Sequence, residues 1–146
     1  MMSKRKPSQG PKSVGSRTGI LKKQTPVSPA DVSLRAARGN AERGGGPGGH
    51  YWHIEVKGKR AGYIFINVIR DAHFGEHPSI QIHLNVVERG KQIGRTAYRL
   101  ACEHCSHPVV YAHMSRKNIA SQRAAEEAGF RPIDEGLIQF AMIWHR

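Results

Sequence analysis

No stretch of this 146-residue chain is apolar for long enough to act as a signal peptide or to cross a membrane, so the sequence predicts a soluble, cytoplasmic protein. Cysteine is almost absent, with Cys102 and Cys105 the only two. They form a single Cys-x-x-Cys with His104 and His107 close by, and zinc wants four nitrogen or sulfur ligands. There is no second such pair, and Cys105 falls on the apolar stripe of a predicted helix, where a free cysteine acts as a small hydrophobe. No metal is therefore expected. A redox role is disfavoured too, because a helix C-terminus destabilises a thiolate. Acids are scarce: 11 Asp and Glu face 23 Lys and Arg. The excess is uneven, since residues 1–49 hold ten basic and two acidic side chains, net +8, and residues 50–146 hold thirteen and nine, net +4.

The basic third also has too few large apolar residues to offset the entropy of ordering it. It reads as a disordered tail through about residue 27, then a short helix over 28–43 begun by Ser28-Pro29-Ala30-Asp31, then the linker Gly44-Gly45-Gly46-Pro47-Gly48-Gly49. Residues 50–146 form the folded domain. A basic tail can hold nucleic acid weakly and in a salt-dependent way, so a nucleic-acid- or ribosome-associated binding protein is one function class in view.

What the chain does have is the stretch from Ile80 to Cys105. Ile80, Ile82 and Leu84 alternate with Gln81, His83 and Asn85, the period-two pattern of a strand with one buried side. After Val86-Val87-Glu88-Arg89-Gly90, apolar residues at Ile93, Ala97, Leu100, Ala101 and Cys105 take a helical spacing. The first turn of such a helix has unpaired N–H groups and partial positive charge, and Arg89, Lys91 and Arg95 surround it. Such a turn is a candidate site for any of many anions.

Upstream, Tyr51–Lys57 reads as a strand, Gly58-Lys59 as a hairpin turn and Gly62–Arg70 as a central strand apolar on both sides. A loop over Asp71–Pro78 leads to the strand at Ile80. Downstream come a strand over Pro108–Met114, a helix over Asn118–Ala128 stopped by Gly129, and short strands at Phe130–Ile133 and Leu137–Trp144. The order is β-β-β-α-β-α-β-β, an α/β mixed sheet. An exposed sheet edge would allow a homodimer.

Arg89-Gly90-Lys91-Gln92-Ile93-Gly94 resembles the Arg/Gln-x-x-Gly-x-Gly/Ala turn of the GCN5-related N-acetyltransferases (GNAT superfamily), which wraps the pyrophosphate of coenzyme A. Asn118-Ile119-Ala120-Ser121, followed by Gly129-Phe130, resembles the family's later Asn-x-x-Ser helix. The resemblance covers about Tyr51 to Trp144 and implies the GNAT fold with its central strands splayed, in a short member lacking the usual first strand and two helices. It implies acetyl-CoA as donor and transfer of an acetyl group to a primary amine of unknown class by direct attack.

By the same resemblance, cofactor contacts fall on Gly90, Lys91, Gln92, Ile93, Gly94 and Arg95 with Arg89 adding charge, and on Asn118 and Ser121. Leu84 and Asn85 hold the place of the backbone N–H that steadies the thioester oxygen. An amine of pKa ~10.4 must lose a proton before attacking, and the candidate bases are His83 on the polar strand face first, then Glu76 in the preceding loop, which also offers His73 and His77, with Glu55 behind them. Two positions depart from the family pattern. Gln92 replaces the turn's central glycine, and Ala125 stands where a tyrosine often protonates the leaving thiolate. A coenzyme-A-binding homologue without turnover is therefore the third class in view.

Overall fold

The computed structural model describes residues 24–133 and 140–146. Seven strands form one sheet: β1 (Val32–Ala36), β2 (His50–Val56), β3 (Lys59–Asp71), β4 (Gly75–Leu84), β5 (Val109–Met114), β6 (Arg131–Ile133) and β7 (Phe140–His145). Their spatial order is β1-β2-β3-β4-β5-β7-β6. Helix α1 (Ile93–His104) joins β4 to β5 and α2 (Ile119–Glu127) follows β5. The α1 crossover makes β4 and β5 parallel, as expected of a strand-helix-strand link, and the other neighbours are antiparallel.

The first strand corrects the expected helix over 28–43. Ser28 does cap, its Oγ accepting from the Ala30 N–H at 3.3 Å, but only the single 3-10 turn Pro29–Asp31 results. From Val32 the burial alternates, and Val32 and Leu34 pair with Val56 and Ile54 of β2. A period of two with a partner strand outweighed a local cap signal. A first strand, expected to be lacking, is thus present, and among the described residues no helix lies between β1 and β2.

Nor is 44–49 a free linker. Gly44 N–H donates to Asn67 Oδ1 at 2.7 Å, Asn67 Nδ2 donates to Glu42 O at 2.7 Å, and the Arg43 guanidinium stands 4.7 Å from the centre of the Tyr63 ring. Part of the expected disorder fails as well, since Val27 N–H donates to Lys91 O at 2.9 Å. Residues 1–23, and the start of the last strand expected at Leu137, lie outside the described residues.

Two smaller shifts have local causes. The β2–β3 turn is Lys57-Gly58, both at positive φ (50° and 81°), one residue earlier than expected. The loop expected over Asp71–Pro78 shrinks to Ala72-His73-Phe74, because Glu76, His77 and Pro78 pair with Arg70, Ile69 and Val68 of β3.

Both helices lie on one sheet face. Ile93, Ala97, Tyr98 and Ala101 of α1 and Ala125 of α2 share a buried cluster with Ile54, Ile64, Ile66, Ile80, Val110 and Ala112. The strand alternation sends Tyr63, Phe65, His77, His83, Tyr111 and His113 to the other face. Among the described residues, no helix is long and apolar enough to cross a membrane.

Candidate active site

The sheet opens between its two parallel strands. β4 and β5 share one registered pair, Ser79 with Tyr111, and beyond it the ladder is lost. On its other edge β4 stays bound to β3 to the end, where Asn85 N–H donates to Ala61 O at 2.9 Å. Antiparallel pairing uses alternate residues on each edge, so if Asn85 faces β3, Leu84 N–H faces the open side. The Leu84 N–H is therefore turned to the open side and the Asn85 N–H is not.

The open side is a cleft of about 590 Å³, bounded by Ile82, His83 and Leu84, by the turn entering α1, and by one face of α2. A 3-10 turn, Val86–Glu88, carries the chain from β4 to Gly90 at φ 79° and Gln92 at φ 64°. Gln92 is the N-cap of α1 and offers no side-chain cap bond, so the first N–H groups of Ile93, Gly94 and Arg95 have no helical acceptor. Gln92 is thus in the left-handed region, which a side chain occupies at a cost of about 1 kcal/mol. Gly94 faces α2 closely: a Cβ there would sit 3.4 Å from Ala124 Cβ and 3.8 Å from Ile82 Cδ1.

The cations around this turn are partly engaged with protein. Arg89 Nε donates to Leu84 O at 3.0 Å, Lys91 Nζ meets Glu88 Oε1 at 3.1 Å, and Arg95 Nη1 lies 3.6 Å from Glu127 Oε1. Exposed pairs of this kind contribute little and exchange readily for a phosphate. The N–H groups of the first helical turn, the left-handed turn and the clustered cations together fit a pyrophosphate.

From α2, Asn118 and Ser121 reach the same cleft while holding local structure. Asn118 Oδ1 caps the helix by accepting from the Ser121 N–H at 3.2 Å, and the Ser121 hydroxyl bonds the Tyr98 hydroxyl at 2.8 Å. Tyr98 is buried, and burial raises its pKa to about 12. Ala125 is fully buried in the core, so it offers the cleft nothing.

Most expected site residues therefore converge. His83, Leu84, Arg89, Gly90, Gln92, Ile93, Gly94, Arg95, Asn118 and Ser121 all line the cleft, although the His83 ring stacks on Tyr63 with centroids 5.0 Å apart. Lys91 and Asn85 do not line it, nor does Glu76, which sits in the β3–β4 hairpin 3.8 Å from Arg70 Nη2. Tyr98, Arg123 and Glu127 were not anticipated. The helical spacing Ala120-Arg123-Ala124-Glu127 would have shown that Arg123 and Glu127 share the face of Ala120. Cys102 and Cys105 are buried beneath α1, where the Cys105 thiol donates to Cys102 O at 3.4 Å.

A family model described as an acetyltransferase (GNAT) domain matches residues 17–131. The chain belongs to the GNAT acetyltransferases. Acetyl-CoA is the acetyl donor of this family, and the neighbours that follow include complexes with coenzyme A. A chimera of spermidine N-acetyltransferase SpeG from Vibrio cholerae and hSSAT aligns with a TM-score of 0.60 at 15% identity, covering 79% of this chain and 95% of that one. AAC(6')-Ib in complex with ribostamycin and coenzyme A aligns at 0.53 with 19% identity, over 68% of this chain and 65% of that one. RimJ from Mycobacterium smegmatis, in complex with CoA-disulfide, aligns at 0.52 with 19% identity, over 65% and 51%. This GNAT chain thus spans less than two thirds of the last two. Among curated proteins none matches it.

Proposed function

We propose that this GNAT chain transfers the acetyl group of acetyl-CoA to a primary amine by direct attack. The observation that carries the reading is the cleft itself. The N-terminus of α1 and its cations stand at one side, and Leu84 N–H is turned to the open edge where β4 has left β5. The donor supplies a thioester carbonyl as electrophile; the residues supply position and charge.

Ile93, Gly94 and Arg95 would hold the pyrophosphate through their N–H groups, with the side chains of Arg89, Arg95 and Arg123 adding charge. Asn118 and Ser121 would border the rest of the donor. Leu84 N–H would donate to the carbonyl oxygen as negative charge develops there. His83, which borders the cleft, would take the amine proton. A new C–N bond forms as the C–S bond breaks. The thiolate leaves with the electron pair, and a pKa of ~8.5 lets it depart without a dedicated acid.

Thermal unfolding with acetyl-CoA tests the donor site. At a hundred times its Kd a ligand bound only to the folded state adds ~2.7 kcal/mol, and Arg89→Glu with Arg95→Glu should abolish the rise in midpoint. Thiol release in the presence of primary amines tests turnover. A raised midpoint without thiol release from any amine would leave a coenzyme-A-binding protein that does not catalyse.

A further inference from the structure

Away from the cleft, three ligand-type side chains meet on the helix-free face of the sheet. They are Asp71 at the end of β3, His77 in β4 and His113 in β5, and their donor atoms all lie within 4.8 Å of one another. His77 Nε2 is 2.9 Å from His113 Nε2 and 3.7 Å from Asp71 Oδ2. We propose that Asp71, His77 and His113 form a binding site for a divalent transition metal of the zinc class.

Each of two ligands is already oriented from behind. His77 Nδ1 lies 2.8 Å from Gly75 O, and a carbonyl can only accept, so Nδ1 carries the proton and Nε2 presents its lone pair. That is the arrangement in which metal-bound imidazoles are held, with the second ring nitrogen donating to a backbone carbonyl. Asp71 Oδ1 accepts the backbone N–H groups of His73 and Phe74 at 2.9 and 2.6 Å, which fixes the carboxylate and leaves Oδ2 toward the imidazoles.

The His77–His113 spacing suits a metal. Two imidazole nitrogens each about 2.0–2.1 Å from one ion stand roughly 3 Å apart at an angle near 90° and somewhat farther apart at a tetrahedral angle. Two imidazoles and one carboxylate favour zinc, cobalt or nickel over magnesium or calcium, which prefer oxygen alone. His77 is only 3% exposed, and the Phe74 and Tyr111 rings flank it with centroids 5.4 and 4.8 Å away. Three protein ligands leave a coordination position for water. The site also bridges β4 to β5, the one seam of the sheet with a single registered pair, so the ion would brace the strands whose divergence makes the cleft.

Titrating the full chain with Zn²⁺ against a chromophoric chelator tests this. One ion per chain should bind, and the thermal midpoint should rise with it. Asp71→Asn and His113→Gln should each weaken binding by more than the roughly 10- to 100-fold that outer-shell changes cost, while His104→Gln leaves it unchanged. Co²⁺ should give visible absorption in the parent that His113→Gln removes. Absence of tight Zn²⁺ binding, or its survival in the Asp71→Asn/His113→Gln double variant, would overturn the site and reduce the two rings to an N–H···N hydrogen bond.

Discussion

The hydroxyl of Tyr98 in α1 bonds that of Ser121 in α2 at 2.8 Å, tying together the two helices that wall the cleft. Tyr98 has no comparable contact with water, being 2% exposed. Its pKa of about 12 in the folded state exceeds the unfolded value of 10.0. The folded protein therefore keeps a proton that the unfolded chain gives up above pH 10. Stability from this group is complete below pH ~10 and falls as pH rises toward 12, by about 3 kcal/mol. Urea midpoints at pH 9 and 11.5 should drop more steeply in the parent than in Tyr98→Phe. At neutral pH the variant itself should cost about 1 kcal/mol.

Gln92 holds φ 64° without a cap bond. Gln92→Gly should stabilise the protein by up to about 1 kcal/mol, and Gln92→Val, β-branched at a left-handed position, should destabilise it by about 1–2 kcal/mol. Chemical denaturation of the two variants reads the effect directly.

Arg146 acts as a cap for α1. Its Nη2 donates to Cys105 O at 2.7 Å, Cys102 O at 2.9 Å and His107 O at 3.0 Å, placing a cation on the negative end of the helix. Arg146→Ala should lose about 1–3 kcal/mol, since part-buried carbonyls lose a charged donor. Arg146→Lys should recover only part, because an ammonium cannot span carbonyls as a planar fork does.

If Leu84 N–H faces the thioester oxygen, Leu84→Pro removes one donor without breaking a bond to β3. The expected result is a fall in kcat of about 10²- to 10³-fold, with the acetyl-CoA thermal shift retained. Loss of that shift would mean that the strand end had moved instead.

His83→Gln should remove the acid limb of the kcat/KM profile if His83 takes the amine proton. An unchanged profile would assign that proton to water.

The sequence by itself determined most of the residues that line the cleft. A strand, a basic turn and a helix start are local features, and each follows from residue spacing, so Arg89, Gly90 and Gly94 were legible, whereas Asn118 and Ser121 came from the resemblance of a second motif. Tertiary structure decided everything that depends on a partner distant in the chain. Val32–Ala36 became a strand because β2 was there to pair with it. Asn85 was spent on Ala61 and Leu84 was not, a distinction set by ladder phase rather than by residue type. The convergence of Asp71, His77 and His113 spans three strands, and no short-range pattern encodes it. Spacing along the chain records which residues share a face; only packing records which faces meet.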